Sequence, residues 1–332
     1  MRFPMQLNSS LTSYIMKMKL KGVKKYPLVL MLEPLHLCNL SCMGCGRIRE
    51  YKATLQDMMS LDACIGAVKE CGAPVISICG GEPLLYPEIG PLVREILALK
   101  RHIHLCTNAL KLSESLGKFT PTPYLNFVVS IDGLEKTQEI TRGRKGIFDI
   151  QMKAITDAKA RGFRVITNTT LYKETDVREV EELFGRLTKL GVDGLLVTAG
   201  YSYDAVERDI FLDREASHEK FRYILKLTKK FRFFNTPLYM KFLAGERELK
   251  CTPWGNVTVN PQGWKAPCYV ITDTHYKSYR ELMENTSWQK FVDREDPRCK
   301  NCMIHSGAEP TAVEEVGKSL KDLVEVVRWN LS

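Results

Sequence analysis

Six short β-rich runs, separated by stretches of helical periodicity, constrain this chain more than any other feature. The runs fall at 28–33, 75–79, 102–106, 127–131, 164–169 and 194–198, and the helical stretches at 60–71, 88–100, 111–118, 148–161 and 176–190. Strands separated by helices cannot be joined by tight hairpins, so they pair in parallel while the helices cover the sheet. Six such units predict an α/β fold, an open partial (β/α)6 barrel rather than a doubly wound sheet, with ligands at the carboxyl ends of the strands.

After residue 200 the alternation stops. A mixed-charge helix near 215–232 is followed by a hairpin, with strands at 256–259 and 264–271 about Asn260-Pro261-Gln262-Gly263, and by a final helix. The expected organisation is a basic amphipathic helix in 1–26, the barrel core in 27–205 and a small Cys-containing C-terminal module in 206–332. That module is expected to be scaffolded by its cysteines rather than by a large core.

Composition narrows the chemistry. With 44% hydrophobic residues the chain is not disordered, and its 11 cysteines in 332 residues are too sparse for a disulfide scaffold. Met1-Arg2-Phe3-Pro4 leads into polar Asn8-Ser9-Ser10, unlike a secretory leader, and no apolar run reaches the roughly 18 residues of a membrane span. The expected location is the cytoplasm, where clustered thiols stay reduced and serve metals or catalysis.

The densest cluster is Cys38-Asn39-Leu40-Ser41-Cys42-Met43-Gly44-Cys45, directly after the first strand. Three thiolates on one tight loop can point at a single iron–sulfur cube and leave one iron open, whereas zinc normally takes four protein ligands. Unrelated loop cysteines, or a three-Cys zinc site, are the plainer alternatives. The second strand ends in Ile78-Cys79-Gly80-Gly81-Glu82-Pro83. Two glycines permit close backbone approach there, and the Glu82 carboxylate can accept a hydrogen bond from a ligand ammonium.

Together these motifs resemble the radical S-adenosylmethionine (SAM) superfamily over residues 27–200. The resemblance implies that Cys38, Cys42 and Cys45 hold a 4Fe–4S cluster whose open iron chelates S-adenosylmethionine, with Gly80, Gly81 and Glu82 at its ammonium. One-electron reduction then yields methionine and a 5′-deoxyadenosyl radical. Ser130, Asp132, Asn168 and Thr170, at later strand ends, are candidates for ribose or carboxylate contacts; capping of those strand ends is an equal alternative. Gly44 stands where many members carry an aromatic residue, which removes the usual stacking partner of adenine.

A closer resemblance is to the adenosyl hopene transferase family of hopanoid lipid biosynthesis. It rests on Tyr26-Pro27-Leu28-Val29-Leu30-Met31-Leu32-Glu33-Pro34, Leu105-Cys106-Thr107-Asn108-Ala109-Leu110, Cys251-Thr252-Pro253-Trp254-Gly255-Asn256 and Pro267-Cys268-Tyr269. It implies a transferase that adds the radical to the terminal alkene of diploptene, a hydrophobic polycyclic triterpene, and an electron donor such as flavodoxin or ferredoxin. Cys106 is then the hydrogen donor to the product radical; the plain alternative is a small buried strand cysteine. Gln138-Glu139 replaces a His-Asp pair of that family, and Ser306 replaces a cysteine.

Tail cysteines Cys251, Cys268, Cys299 and Cys302 could hold an auxiliary iron–sulfur cluster or zinc, or remain free thiols. Cys64 and Cys71, seven apart on a helix, read as core, and Cys79 as packing. Two rival functions stay open: a radical SAM enzyme that modifies a peptide or protein with an auxiliary cluster, and a non-catalytic Fe–S or zinc protein that binds RNA.

The net charge of 48 − 39 = +9 has a local source. Leu7, Leu11, Ile15 and Met18 recur at helical spacing, and Lys17, Lys19, Lys21, Lys24 and Lys25 follow. Such a helix either lies on the inner face of the membrane as a peripheral contact or covers an open end of the barrel. No nucleic-acid recognition motif accompanies the charge, and no nucleic-acid partner is expected.

Overall fold

The structure is a computed structural model that describes residues 2–331. Its strands are β1 (Val29–Leu32), β2 (Val75–Ile78), β3 (His102–Thr107), β4 (Leu125–Ser130), β5 (Arg164–Leu171), β6 (Gly194–Ala199), β7 (Asn256–Asn260), β8 (Gly263–Pro267) and β9 (Thr272–Tyr276). They form one sheet in the order β6-β5-β4-β3-β2-β1-β7-β8-β9. The six runs expected from the sequence are the six consecutive parallel strands β1 to β6.

Alternation along each strand divides the interior in two. One set of side chains, among them Leu30, Leu32, Ile76, Ile78, Leu105, Phe127 and Val129, packs outward against helix residues such as Val68, Ile96, Ile155 and Leu183. Truncating one of these to alanine costs about 2–5 kcal/mol. The opposite set, including Val75, Val128 and Ile166, meets Leu7 and Phe234 inside the curve of the sheet. Cys64 and Cys71 lie buried in the outward core, as their spacing predicts.

Helix ends follow local chemistry. Helix Leu61–Cys71 begins where Ser60 accepts a hydrogen bond from the Ala63 amide and ends at Gly72 in the left-handed region. Helix Glu135–Arg142 has few apolar residues and no counterpart among the expected helices, yet it carries a residue of the site.

The tail departs from expectation. β7 pairs in parallel with β1, so Val29 lies between Val75 on one side and Asn256 on the other. Val257, Trp264, Leu282, Trp288, Met303 and Ala312 belong to the same apolar core as the barrel. The module is thus built on hydrophobic burial continuous with the barrel, not on cysteines alone. β8 stops at Pro267, short of the expected 271, because proline offers no ladder N–H. The expected final helix is two, His305–Val316 and Leu320–Leu331.

The N-terminal helix Met5–Leu20 crosses the N-terminal ends of the strands. Leu7 enters the inner apolar cluster, and Ser10 Oγ lies 3.0 Å from Nε2 of His102, the first residue of β3. The helix ends before a turn at Lys21 and Gly22, so Lys24 and Lys25 lie beyond it, contrary to the longer basic helix expected. Among the described residues no helix is long and apolar enough to cross a membrane.

Candidate active site

At the carboxyl ends of the strands a cavity of about 260 Å³ gathers residues from five strand ends and the loop after β1. Cys38, Cys42, Cys45, Gly80, Gly81, Glu82, Cys106, Ser130, Asn168 and Thr170 all line it. Asp132 does not. Its carboxylate is 2.7 Å from the Arg142 guanidinium and accepts the Thr170 amide at 2.9 Å, so it is turned away from the position expected for a ligand contact.

The glycines act first on the protein itself. The Gly81 amide donates to the Leu35 carbonyl and the Glu82 amide to the Leu37 carbonyl, at 3.0 and 2.8 Å. Gly80 has φ +104°, and a Cβ there would stand 2.5 Å from the Leu35 carbonyl oxygen; at Gly81 it would collide with the Leu37 carbonyl. Glycine is therefore what lets the chain leading to Cys38 lie against the end of β2.

Glu82 is fully buried and holds β3 in place. Oε1 accepts from Thr107 Oγ1 at 2.7 Å and from the Leu84 amide at 3.1 Å, while Oε2 accepts the Asn108 amide at 2.8 Å. A carboxylate offers about four acceptor positions, so capacity for one further donor remains. Burial raises its pKa to about 7 against the pull of these hydrogen bonds, so an incoming cationic donor would favour the ionised form.

Two of the three loop thiols have donors directed at them. Asn108 Nδ2 lies 3.9 Å from Cys38 Sγ, and an Arg142 guanidinium nitrogen 3.8 Å from Cys42 Sγ. Burial pushes the Cys38 thiol up to about 12 and raises that of Cys42, with Arg142 opposing the rise at Cys42. Thiolates in this pocket need a cationic partner, which an iron–sulfur cluster supplies. The three sulfurs facing one cavity, with hydrogen-bond donors behind them, fit a cluster held by three protein ligands.

The space beside Gly44 is filled by an aromatic residue from the end of β5. A Cβ on Gly44 would be 2.7 Å from the Tyr172 hydroxyl, and one on Gly46 would strike the Tyr203 ring; both tyrosines line the cavity. Tyr172 directly follows β5, so the rule that strand ends face the site could have found it. Asn108 stood within a noted motif. Arg142 had no distinguishing signal, being one of 48 Lys and Arg residues.

Gln138 and Glu139 do structural work. Gln138 accepts the Asp132 amide at 2.8 Å and donates to Gln151 at 2.7 Å, and Gln151 in turn donates to the Asn108 and Ser130 carbonyls. Glu139 accepts the Gly146 amide at 2.6 Å. Between the loop and the tail, buried Arg47 pairs with Glu33 at 2.9 Å and stacks over Tyr269 at 4.5 Å.

Cys106 Sγ is 3.5 Å from Ser77 Oγ, and burial pushes its thiol up to about 11. It lines the site cavity and a second, apolar cavity of about 320 Å³ inside the barrel. Cys251, Cys268, Cys299 and Cys302 surround a separate pocket of about 30 Å³ with Val270, Ile271, Phe291, Ile304 and Arg294. Among the described residues no three His, Cys, Asp or Glu side chains are placed to hold a single metal ion, in either cysteine group.

Comparison with known proteins agrees with this arrangement. Residues 32–187 match the Radical SAM superfamily, and residues 195–326 match a domain of unknown function, DUF3463. The chain is 27% identical over 201 residues to Fe-coproporphyrin III synthase of Methanosarcina barkeri, covering 58% of this chain and 49% of that protein. It is 25% identical over 278 residues to PqqA peptide cyclase of Gluconobacter oxydans, covering 79% and 76%. It thus spans about half the length of the first and three quarters of the second. The crystal structure of Streptococcus suis SuiB bound to S-adenosylmethionine has a similar fold, with TM-score 0.66 and 17% identity over 92% of this chain and 78% of that one.

Proposed function

We propose, for a chain that belongs to the radical SAM superfamily through residues 32–187, that it joins the 5′-deoxyadenosyl group to the terminal alkene of a hopene. The observation that carries this reading is Cys106, a thiol standing where the polar site cavity meets an apolar one. When bound, the 4Fe–4S cluster and S-adenosylmethionine supply the adenosyl radical. Cys38, Cys42 and Cys45 would hold the cluster, and Glu82, with Gly80 and Gly81, would receive the methionine ammonium. Ser130, Asn168 and Thr170 lie where ribose or carboxylate oxygens can be met, and the Tyr172 ring is available to adenine.

Cys106 is kept as S–H by burial, and so can give a hydrogen atom to the carbon radical of the adduct. The sulfur radical left behind takes one electron and one proton, the electron from a reductant of the flavodoxin or ferredoxin class. The triterpene substrate agrees with the apolar cavity, and peripheral membrane contact through helix Met5–Leu20 agrees with its exposed Met16 and Leu20 beside Lys17 and Lys21.

Anaerobic turnover of the reconstituted protein with S-adenosylmethionine, reductant and diploptene should give an adenosine–hopene adduct by mass spectrometry. Free 5′-deoxyadenosine alone, or no product, would overturn the substrate. Cys106→Ala should still cleave S-adenosylmethionine but release no saturated adduct; normal yield would remove the donor role.

A second reading, a peptide-modifying radical SAM enzyme with an auxiliary cluster, draws support from the four tail cysteines around one pocket and from the similarity to PqqA peptide cyclase. It requires 5′-deoxyadenosine formation that depends on a peptide. The radical SAM match weighs against a purely RNA-binding role.

A further inference from the structure

Helix Leu320–Leu331 carries five exposed apolar residues, Leu320, Leu323, Val324, Val327 and Leu331, with exposures from 44 to 82%. Steps of three, one, three and four residues put them all on one face of the helix. Single exposed leucines are ordinary, whereas a continuous stripe marks a surface that something covers.

The opposite face is fixed to the protein. Val326 and Trp329 pack against the apolar core, and the Trp329 indole donates to the Asn235 carbonyl at 3.1 Å. Asp322 and Glu325, the two carboxylates of the helix, turn the same way: Asp322 pairs with Arg247 at 2.9 Å and Glu325 with Lys241 at 2.6 Å. Its acidic charge is thus neutralised inward, and its exposed charged residues are Lys321 and Arg328.

The N-terminal helix runs alongside. Arg2 stacks over Trp329 at 4.2 Å and its amide donates to the Asn330 carbonyl at 2.9 Å, so helix Met5–Leu20 starts beside the end of Leu320–Leu331. At the far end, Lys19 Nζ stands 3.7 Å from where a Cβ on Gly317 would lie, just before Leu320. The two helices are antiparallel neighbours beneath the barrel lumen, at the end opposite the three-cysteine loop. Helix Met5–Leu20 has no acidic residue and adds exposed Met5, Met16 and Leu20 with Lys17 and Lys19.

A face that is apolar and cationic selects its partner by charge. A nucleic acid would meet the cations and leave the stripe in water. A second copy joined face to face would set Lys321 and Arg328 against their own counterparts. An anionic bilayer satisfies both features, because its acyl boundary receives the stripe and its headgroups receive the cations.

We propose that helix Leu320–Leu331 lies in the interface of an anionic bilayer, with helix Met5–Leu20 beside it, so that the cysteine site faces away from the membrane. This goes beyond the contact suggested above for helix Met5–Leu20, and it does not depend on the hopene substrate.

The test uses the full chain with vesicles of phosphatidylglycerol and phosphatidylcholine in equal parts, and with vesicles of phosphatidylcholine alone. Flotation should show at least tenfold tighter binding to the mixed vesicles. Leu323→Gln with Val327→Gln should weaken that binding at least tenfold, and Lys321→Gln with Arg328→Gln at least threefold. Both double variants should keep wild-type thermal unfolding and dithionite-driven S-adenosylmethionine cleavage. Absence of wild-type binding, equal binding to the two vesicles, or binding unchanged by Leu323→Gln with Val327→Gln would overturn the proposal. A concentration-dependent dimer that this double variant dissociates would overturn it in favour of a second copy. Adduct formation by a chain that binds no vesicle would defeat the membrane face and spare the reaction, and vesicle binding without an adduct would do the reverse.

Discussion

The two cysteine groups of this chain differ in what surrounds them. Cys38, Cys42 and Cys45 face a roomy cavity with polar partners, whereas Cys251, Cys268, Cys299 and Cys302 enclose a narrow one among apolar side chains. In metal sites an open position goes with reaction and a closed ligand set with structure or electron storage. The contrast assigns the first group to ligand chemistry and leaves the second a supporting role at most.

The largest expected effect comes from breaking the open group. Cys42→Ala should abolish S-adenosylmethionine cleavage and lower iron after reconstitution; retained 5′-deoxyadenosine formation would show that this loop is not the reaction site. The closed group is tested by Cys299→Ala with Cys302→Ala. If it holds a second 4Fe–4S cluster, iron should fall by roughly half, from about eight to about four per chain. Iron near four in both proteins would leave these residues as thiols.

Smaller changes sharpen the contrast at the open group. Arg142→Gln removes a cation directed at Cys42 Sγ and leaves Asp132 unpaired. Such a donor favours the more negative reduced cluster, so its loss should lower the reduction potential by on the order of 60 mV, equivalent to about 1.4 kcal/mol for one electron. An unchanged potential in an EPR-monitored titration would refute this positioning role.

An effect on stability alone, with no part in the chemistry of the site, lies away from both groups. Burial raises the Glu309 pKa from 4.5 to about 7, so the folded state holds that proton more tightly than the unfolded one. The resulting stabilisation is complete below about pH 4.5 and is lost as pH rises through about 7, a change of about 1–3 kcal/mol. Thermal melting of Glu309→Gln should lack this part of the fall between pH 5 and 8.

Much of the barrel was legible because a βα unit writes its periodicity locally. The runs at 75–79 and 164–169 became β2 and β5 with ends displaced by a residue or two. The three loop cysteines and the strand-end residues Ser130, Asn168 and Thr170 follow from the same regularity, since carboxyl ends of parallel strands converge. Helix Glu135–Arg142 was missed because it is short and Ile140 is its only strongly apolar residue, and Arg142 went with it. The pairing of Asp132 with Arg142 was not legible because the two stand ten residues apart in sequence.

What the sequence determined by itself was the order of strands and helices, the three-cysteine loop and the glycines that seat it, all set by spacing within a few residues. Tertiary structure decided the rest: Tyr172 beside Gly44, Arg142 behind Cys42, β7 joined to β1, and Leu7 beneath the lumen. Each of these depends on which distant segments close-packing brings together, and side-chain volume and hydrogen-bond demand settle that only once the chain has folded.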